Sequence, residues 1–250
     1  MRTYKIVFSP TGGTEKVASI IANALGAEID TVDLSTQNFS GCDLTDDGIA
    51  VIAMPSFGGR APKTAIDRLK TIKANGAKAV VVAVYGNREQ EDTLIEMADT
   101  AKECGFKVVA GISAVAEHSI AHQYATGRPD DIDTQQLTEF AKSIVGKIYA
   151  SADAEPNIPG NRPYKKSGPG LVPKATSACT SCGICAEKCP AGAIDKSNPK
   201  KTDKRTCINC MRCMVVCPQN ARKVSGTMVK LVGAALKKPC SSRKDNVLFL

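Results

Sequence analysis

The chain has 250 residues, and 33 Lys and Arg against 25 Asp and Glu give it a formal net charge of +8. Its longest apolar run, around 79–85, is far too short to span a bilayer, and its start lacks the pattern of a secretory signal. Eleven cysteines without an export signal favour reduced thiols that bind metal over a disulfide framework. We therefore expect a cytoplasmic protein with no membrane span.

Strand-like apolar runs alternate with helical periods through residues 1–150. Such alternation predicts a parallel, doubly wound α/β sheet with right-handed crossovers. The stretch between Leu34 and Gly48 indicates only a loop or a short irregular helix, and a last helix is expected at about 133–149. The five predicted strands are Thr3–Phe8, Glu28–Leu34, Gly48–Met54, Ala79–Tyr85 and Lys107–Val115.

A loop rich in hydroxyl groups and glycine follows the first strand and opens directly into a helix. Hydroxyls and backbone N–H groups at a helix N-terminus form a cradle for phosphate. The loop lacks both Gly-Lys-Ser/Thr and GxGxxG, so it favours a terminal monophosphate over Mg-ATP or a dinucleotide. Taken alone, the same turn also fits a simple helix start. The candidate phosphate-binding residues are Ser9, Thr11, Gly12, Gly13 and Thr14.

Two further loops at the carboxyl edge of the predicted sheet each place an aromatic residue beside glycine. The chain has no Trp, five Tyr and six Phe, so an aromatic residue in both loops is informative. Two aromatic rings can sandwich a planar ligand, and glycine lets the backbone approach it, whereas either aromatic alone is equally consistent with core packing. The candidate ring-binding residues are Ser56, Phe57, Gly58 and Gly59 after the third strand, and Tyr85, Gly86, Asn87 and Arg88 after the fourth.

Residues 1–150 resemble the short-chain flavodoxins, whose phosphate loop reads Ser/Thr-x-Thr-Gly-x-Thr, as residues 9–14 do here. The resemblance implies a five-stranded sheet of order 2-1-3-4-5. It also implies a bound FMN, with its phosphate on residues 9–14 and its ring between the loops of Phe57 and Tyr85. The peptide at Gly58 would reorient toward the flavin on reduction. Flavodoxins often stack a Trp on the ring, so the lack of Trp here implies weaker stacking.

Three side chains near these loops are further candidates. His118 follows the fifth strand and could touch flavin or substrate, although a lone histidine is more often a solvated or capping residue. Arg60 and Arg88 could stabilise an anionic reduced flavin, or could be solvated loop charges. No constellation of acid, base and nucleophile accompanies them, so no catalytic residue is assigned beyond the candidate His118.

A connector rich in proline and glycine separates this region from the rest of the chain. Its composition indicates a semi-rigid segment that either holds two domains apart or wraps one of them. The expected units are a flavodoxin-like domain (1–150), this linker (151–176), a cysteine-rich domain (177–222), and a C-terminal helix with a tail (223–250).

Eight cysteines form two copies of the pattern C-x2-C-x2-C-x3-C-P, 28 residues apart. Three thiolates at this spacing wrap a 4Fe–4S cubane, and the fourth cysteine of each run ligates the other cluster. Zinc would use four ligands, usually as two separated pairs, and would leave the triplets without a role. Cys42, Cys104 and Cys240 are expected to be incidental thiols. The predicted ligands are Cys179, Cys182, Cys185 and Cys217 for the first cluster, and Cys207, Cys210, Cys213 and Cys189 for the second.

The cysteine-rich segment resembles the bacterial two-cluster ferredoxins, and the whole chain resembles flavodoxin–ferredoxin fusion proteins. Residues 151–250 carry 18 basic and six acidic residues. Two clusters and a flavin phosphate would cancel about six of these positive charges, so the basicity is weak evidence for nucleic-acid binding. We expect redox proteins as electron donor and acceptor, and no nucleic acid.

Three functions fit these features. A low-potential electron carrier would pass electrons between two 4Fe–4S clusters and FMN. A flavin-dependent reductase would use the clusters to feed FMN, and His118, Asn87 and Arg88 would orient a small substrate. A redox sensor would regulate a partner through the basic C-terminal part. No nicotinamide-binding fingerprint is present, which disfavours direct oxidation of NAD(P)H.

Overall fold

A computed structural model of the protein describes residues 2–150, 154–168 and 170–250. In the first part of the chain, strands alternate with helices. Its elements are β1 (Thr3–Val7), α1 (Gly13–Leu25), β2 (Ile29–Asp33), β3 (Cys42–Asp43), β4 (Ile49–Pro55), α2 (Lys63–Leu69), β5 (Ile72–Lys73), β6 (Lys78–Tyr85), α3 (Thr93–Glu103), β7 (Lys107–Val115) and α4 (Asp131–Tyr149). The later elements are β8 (Lys174–Ala175), α5 (Ile184–Glu187), α6 (Arg212–Val215), β9 (Arg222–Lys223), α7 (Gly226–Leu236) and β10 (Val247–Phe249).

Five long strands form a parallel sheet in the order β2-β1-β4-β6-β7. Counted among the long strands, this order is 2-1-3-4-5, which confirms the flavodoxin-like topology predicted from the sequence. Helices cover both faces of the sheet, and β4 and β6 are therefore buried over nearly their whole length. Each predicted strand agrees with the structure to within one residue at either end.

Alternate residues of the strands supply two apolar cores, one on each face of the sheet. In β1, Ile6 and the following Phe8 face the core that α2 and α3 complete, whereas Val7 faces the core of α1 and α4. Between residues 35 and 47, all of them described, the structure shows no helix. Instead, β3 pairs with β5 in a separate two-stranded sheet, so the loop alternative holds for this stretch.

The main sheet has a sixth strand that the sequence did not predict. The C-terminal β10 pairs antiparallel with the edge strand β7, so the five-stranded prediction is corrected to five parallel strands and one antiparallel strand. Asn246, only 3% exposed, holds the tail against the sheet and α4. Its side chain accepts from the Val115 N–H and donates to Asp133 and Gln136. The tail therefore packs with the first domain, although it follows the cysteine motifs.

The linker wraps the first domain instead of holding the two domains apart. The Asp92 carboxylate accepts the backbone N–H groups of Asn161 (2.9 Å) and Lys165 (2.7 Å), and the Asp99 carboxylate accepts two donors from Arg162. Its last residues form β8, which pairs antiparallel with β9 of the cysteine-rich domain. The described part of this strap is therefore tied to both domains.

The cysteine-rich domain consists of two similar halves. The one-turn helices α5 and α6 begin after Gly183 (φ 82°) and Met211 (φ 62°), which occupy equivalent positions of the two motifs. Glycine adopts this left-handed conformation freely, whereas methionine is held there against its preference. Both halves of the domain therefore use this left-handed backbone turn before the helix.

Helix α7 confirms the predicted C-terminal helix and packs on the loop that follows β7. The Tyr124 hydroxyl donates to the Gly233 carbonyl (2.6 Å), and Leu236 is buried with Ala121 and Cys240. None of the helices in the described ranges combines the length and apolar character that a membrane crossing requires.

Candidate cofactor sites

Two cavities in the cysteine-rich domain are each lined by four cysteines. Each cavity takes three cysteines from one motif and the fourth from the other motif, which is the arrangement expected for crossed ligation. The first cavity is lined by Cys179, Cys182, Cys185 and Cys217. The second is lined by Cys189, Cys207, Cys210 and Cys213.

The donor set of the cavities fits an iron–sulfur cluster. The Sγ atoms of Cys189 and Cys217 accept backbone N–H groups from Ala193 (3.3 Å) and Ala221 (3.2 Å), and such bonds stabilise negative charge on a ligating sulfur. Across the described residues, no three His, Cys, Asp or Glu side chains are arranged to hold a single metal ion.

Burial keeps two of the cysteines protonated before metal binds. It raises the pKa of the Cys210 thiol to about 11 and that of the Cys213 thiol to about 12. Iron binds cysteine as the thiolate, so loading this cavity must release protons. Because the small domain has few buried apolar residues, metal binding and folding are expected to be coupled.

The loop between β1 and α1 has the geometry of an anion cradle. The Ser9 Oγ accepts the Glu15 N–H (2.9 Å), and the Ser9 N–H donates to the Ser35 Oγ (2.9 Å). Gly12 lies in the left-handed region (φ 93°), which lets the chain turn sharply into the helix. The first N–H groups of α1 have no partner within the helix and therefore face the loop. All five predicted phosphate-binding residues, 9 and 11–14, lie together here.

The loop after β4 presents an aromatic residue and two glycines, as predicted. The Phe57 N–H donates to the Arg60 carbonyl (2.9 Å), which closes a tight turn with Gly58 and Gly59 at φ 63° and 84°. The positive φ of Gly59 is a backbone conformation that side chains rarely adopt, so this position favours glycine. Phe57 is half-buried and Gly58 is exposed, so both are accessible to a ligand.

The loop after β6 uses most of its side chains to hold the protein together. Tyr85 is only 8% exposed and Phe57 is half-buried, so Phe57 is the more accessible of the two candidate aromatic rings. The Asn87 amide donates to the Ser242 carbonyl (2.8 Å) and so anchors the tail, while Arg88 pairs with Glu91 (2.6 Å). The side chains of Asn87 and Arg88 are thus engaged within the protein, and the Arg88 carbonyl accepts from Lys244.

Arg60 and His118 are also engaged within the protein. Arg60 makes a bidentate pair with Glu96 (2.7 and 2.6 Å), and its guanidinium lies 4.9 Å from the centre of the Tyr164 ring. The His118 Nδ1 accepts the backbone N–H groups of residues 120 and 121, which leaves the ring proton on Nε2. Burial lowers the pKa of His118, so the ring is neutral at pH 7. His118 is thus a capping residue, one of the two predicted alternatives.

Two residues near these loops were missed by the sequence analysis. Gln90 is buried, and within the part of the chain that the structure describes its Oε1 has no hydrogen-bond partner. Arg212, from the second cysteine motif, donates to the carbonyls of Ser9 (3.4 Å) and Pro10 (3.5 Å). A single glutamine in a polar loop and a contact between distant segments leave no local sequence signal.

The second cavity lies against the first domain. Pro190, which lines this cavity, accepts a hydrogen bond from Arg68 (2.7 Å), and Ile208 packs on the core beneath α2 and α3. Arg212 also lines the cavity and reaches the phosphate loop. The first cavity includes Cys182, the exposed member of the eight cysteines. The two cavities therefore differ in position: one is next to the flavodoxin-like sheet, and the other has a solvent-facing ligand.

Residues 178–222 match the family model described as the 4Fe–4S dicluster domain. The chain joins a flavodoxin-like domain to a 4Fe–4S ferredoxin-type domain. The 4Fe–4S domain supports a redox role.

Solved flavodoxin structures resemble the first domain of this chain. A flavodoxin of Streptococcus pneumonia TIGR4 is 24% identical with a TM-score of 0.41, and the match covers 58% of this chain and 99% of that chain. Oxidised flavodoxin 2 of Bacillus cereus is 17% identical with a TM-score of 0.42, over 59% and 99%. A Fusobacterium nucleatum flavodoxin bound to flavin mononucleotide is 17% identical with a TM-score of 0.39, over 59% and 99%. No match was found among curated proteins.

Proposed function

We propose that this chain is a low-potential electron-transfer protein that passes electrons between two 4Fe–4S clusters and a bound FMN. The observation that carries the proposal is the pair of four-cysteine cavities, one of which abuts the phosphate loop of a flavodoxin-like domain. Iron–sulfur clusters exchange single electrons and a flavin accepts one or two, so the combination connects one-electron and two-electron chemistry.

Two clusters are supported by two separate sets of four thiols. The first set is Cys179, Cys182, Cys185 and Cys217, and the second is Cys207, Cys210, Cys213 and Cys189. Strand pairing suggests a small change to the domain limits: residues 174–223 form the cluster domain, and β10 belongs with residues 1–150. The segment between them is a strap along the first domain.

A flavin monophosphate is the ligand that best matches the carboxyl edge of the sheet. Residues 9 and 11–14 would hold its phosphate, and Phe57, Gly58, Gly59 and the backbone of residues 86–88 would contact its ring. Ligands of doubly wound sheets bind at this edge, near the switch in strand order. The unpartnered Gln90 Oε1 lies in the same loop region and is a suitable acceptor for a ring N–H.

The contacts of the loop side chains favour a carrier over a reductase. A reductase would need His118, Asn87 and Arg88 to orient a substrate, but each of them is committed to a backbone or side-chain partner of the protein. His118 is also neutral and half-buried, which suits capping better than proton delivery. We therefore place the reductase second.

The positions of the cavities suggest an order for the electron path. The cluster of the second cavity would be the neighbour of the flavin domain, because this cavity contacts that domain through Arg68 and Arg212. The first cavity, with the exposed Cys182, would exchange electrons with redox protein partners. The flavin edge beside Phe57 is the second point at which a partner could exchange electrons.

Anaerobic purification followed by metal and flavin analysis tests the proposal. About eight irons and one FMN per chain are expected, and stopped-flow reduction by a low-potential ferredoxin should reduce both the cluster and flavin bands. A chain that contains zinc, or that binds no flavin, would contradict the proposal. Steady turnover of a small molecule, without transfer to a protein acceptor, would favour the reductase.

A further inference from the structure

We propose that Arg212, a residue of the second cysteine motif, completes the phosphate-binding site of the first domain and makes it selective for a phosphorylated flavin. The inference rests on the proposed FMN binding and adds a residue from the other domain to that site. Arg212 is the first residue of α6, between the cavity-lining Cys210 and Cys213. Its side chain therefore extends from the second cluster cavity to the phosphate loop.

The contacts of Arg212 are those of a side chain with donors to spare. Its Nη1 lies 3.4 Å from the Ser9 carbonyl and 3.5 Å from the Pro10 carbonyl, at the long end of the hydrogen-bond range. Its Nε is buried and, among the described residues, has no acceptor. A buried guanidinium donor without a partner is unfavourable, and an anionic oxygen beside it would remove that cost.

The phosphate loop lacks the charge that Arg212 would supply. Residues 9–14 contain no Lys or Arg, and the first turn of α1 adds Glu15, which pairs with Lys5 (2.5 Å), and the exposed Lys16. Backbone N–H groups and hydroxyls can bind a phosphate, but they leave its negative charge without a cation. The planar fork of a guanidinium suits phosphate oxygens in position and in charge.

Another arginine at the domain interface shows what a purely structural contact looks like. Arg68 donates to the carbonyls of Leu34 (2.6 Å), Gln37 (3.1 Å) and Pro190 (2.7 Å), so it joins the domains through several short bonds. Arg212 makes long bonds to the loop and keeps one buried donor unused. Because of this contrast, we assign Arg212 to ligand binding and Arg68 to the contact between the two domains.

The experiment is a flavin titration of the full chain, loaded with its clusters and freed of flavin. Quenching of flavin fluorescence gives the Kd values for FMN and for riboflavin, which lacks the phosphate. Arg212→Gln should weaken FMN binding about tenfold or more and leave riboflavin binding unchanged, because only the phosphate loses a charged partner. Arg212→Lys should retain part of the preference, and the matched control Arg68→Gln should keep the wild-type ratio of the two Kd values.

The outcomes separate this inference from the proposed function. If the wild type binds FMN and Arg212→Gln has the same FMN-to-riboflavin ratio, the inference is overturned while FMN binding stands. If the wild type binds neither flavin, the proposed function fails and the inference fails with it. Iron content and visible absorbance of each variant establish that the clusters are in place.

A second measurement needs no variant, in case Arg212→Gln does not load iron. Phenylglyoxal modifies accessible arginines, and mass spectrometry of the peptides locates the modified residue. FMN should protect Arg212 in the wild type, whereas riboflavin at equal occupancy should not. Equal modification of Arg212 with FMN and with riboflavin would overturn the proposal.

Discussion

Cys189 and Cys210 line the same cavity, although they belong to different cysteine motifs. Cys189 reaches this cavity because the first motif, after the helix α5, runs toward the second half of the domain, and Ala193 donates its N–H to the Cys189 sulfur (3.3 Å). Neither half of the domain can therefore complete a four-thiolate site from its own motif.

Replacing Cys189 with serine should damage the cluster of the other motif. Cys189→Ser should lose iron from the second cavity, and its EPR spectrum after reduction should match that of Cys210→Ser. The matched control is Cys182→Ser, which alters the same motif as Cys189 but removes a ligand of the first cavity. A Cys189→Ser spectrum that instead matches Cys182→Ser would contradict the crossed arrangement.

The buried Asn246 should be a large contributor to the stability of the first domain. Asn246→Ala removes its bonds to Val115, Asp133 and Gln136 and leaves the buried Val115 N–H without an acceptor, so we expect a loss of about 2–3 kcal/mol. Urea unfolding of the full chain measures the loss. Leu250→Ala, at a terminal residue that is 46% exposed, is the control and should change the stability little. An Asn246→Ala variant that unfolds at the wild-type urea concentration would contradict this role.

The strands and the cysteine sets could be predicted from the sequence because their signals are local. Runs such as Val80–Val84 are apolar in every position, which is typical of a central parallel strand, and the cysteine spacing alone predicts which thiols share a cavity. Loop 9–14 was likewise found from its composition and its place after the first strand.

The contacts that the sequence analysis missed join segments far apart in the chain. β10 has only three residues and pairs with β7 across more than a hundred intervening positions, so it has no alternating pattern long enough to detect. The role of Asn87 as an anchor for Ser242, and the reach of Arg212 to Ser9, depend on the same docking. Local patterns predict which elements form, whereas these side chains acquire their roles only when the elements assemble.

The buried pair of Arg128 and Asp133 should make the first domain sensitive to acid. Burial disfavours the Asp133 carboxylate, but the donors of Arg128 and the Asp130 N–H outweigh it and lower the pKa of Asp133. A lowered pKa means that the pair stabilises the fold fully above about pH 4, the ordinary value for aspartate, and that this stability is lost as the pH falls through the lowered pKa.

Asp133→Asn tests this pair at neutral pH. Because the substitution leaves the Arg128 guanidinium, only 6% exposed, without its partner charge, we expect a loss of about 3–5 kcal/mol in urea unfolding. Asp131→Asn, an exposed residue of the same helical turn, is the matched control and should have little effect. If both variants unfold at the wild-type urea concentration, the pair does not stabilise the domain.

The accessible ring of Phe57 should contribute to flavin binding without distinguishing one flavin from another. Phe57→Ala should weaken binding of FMN and of riboflavin by the same factor, about tenfold, because the isoalloxazine ring that it contacts is common to both. The measurement is the same fluorescence titration, and Tyr149→Ala, which removes an aromatic ring that is 80% exposed at the end of α4, is the control. If Phe57→Ala keeps the wild-type affinity for both flavins, the isoalloxazine ring does not lie against Phe57. A loss confined to FMN would indicate that the phosphate, and not the ring, lies beside Phe57.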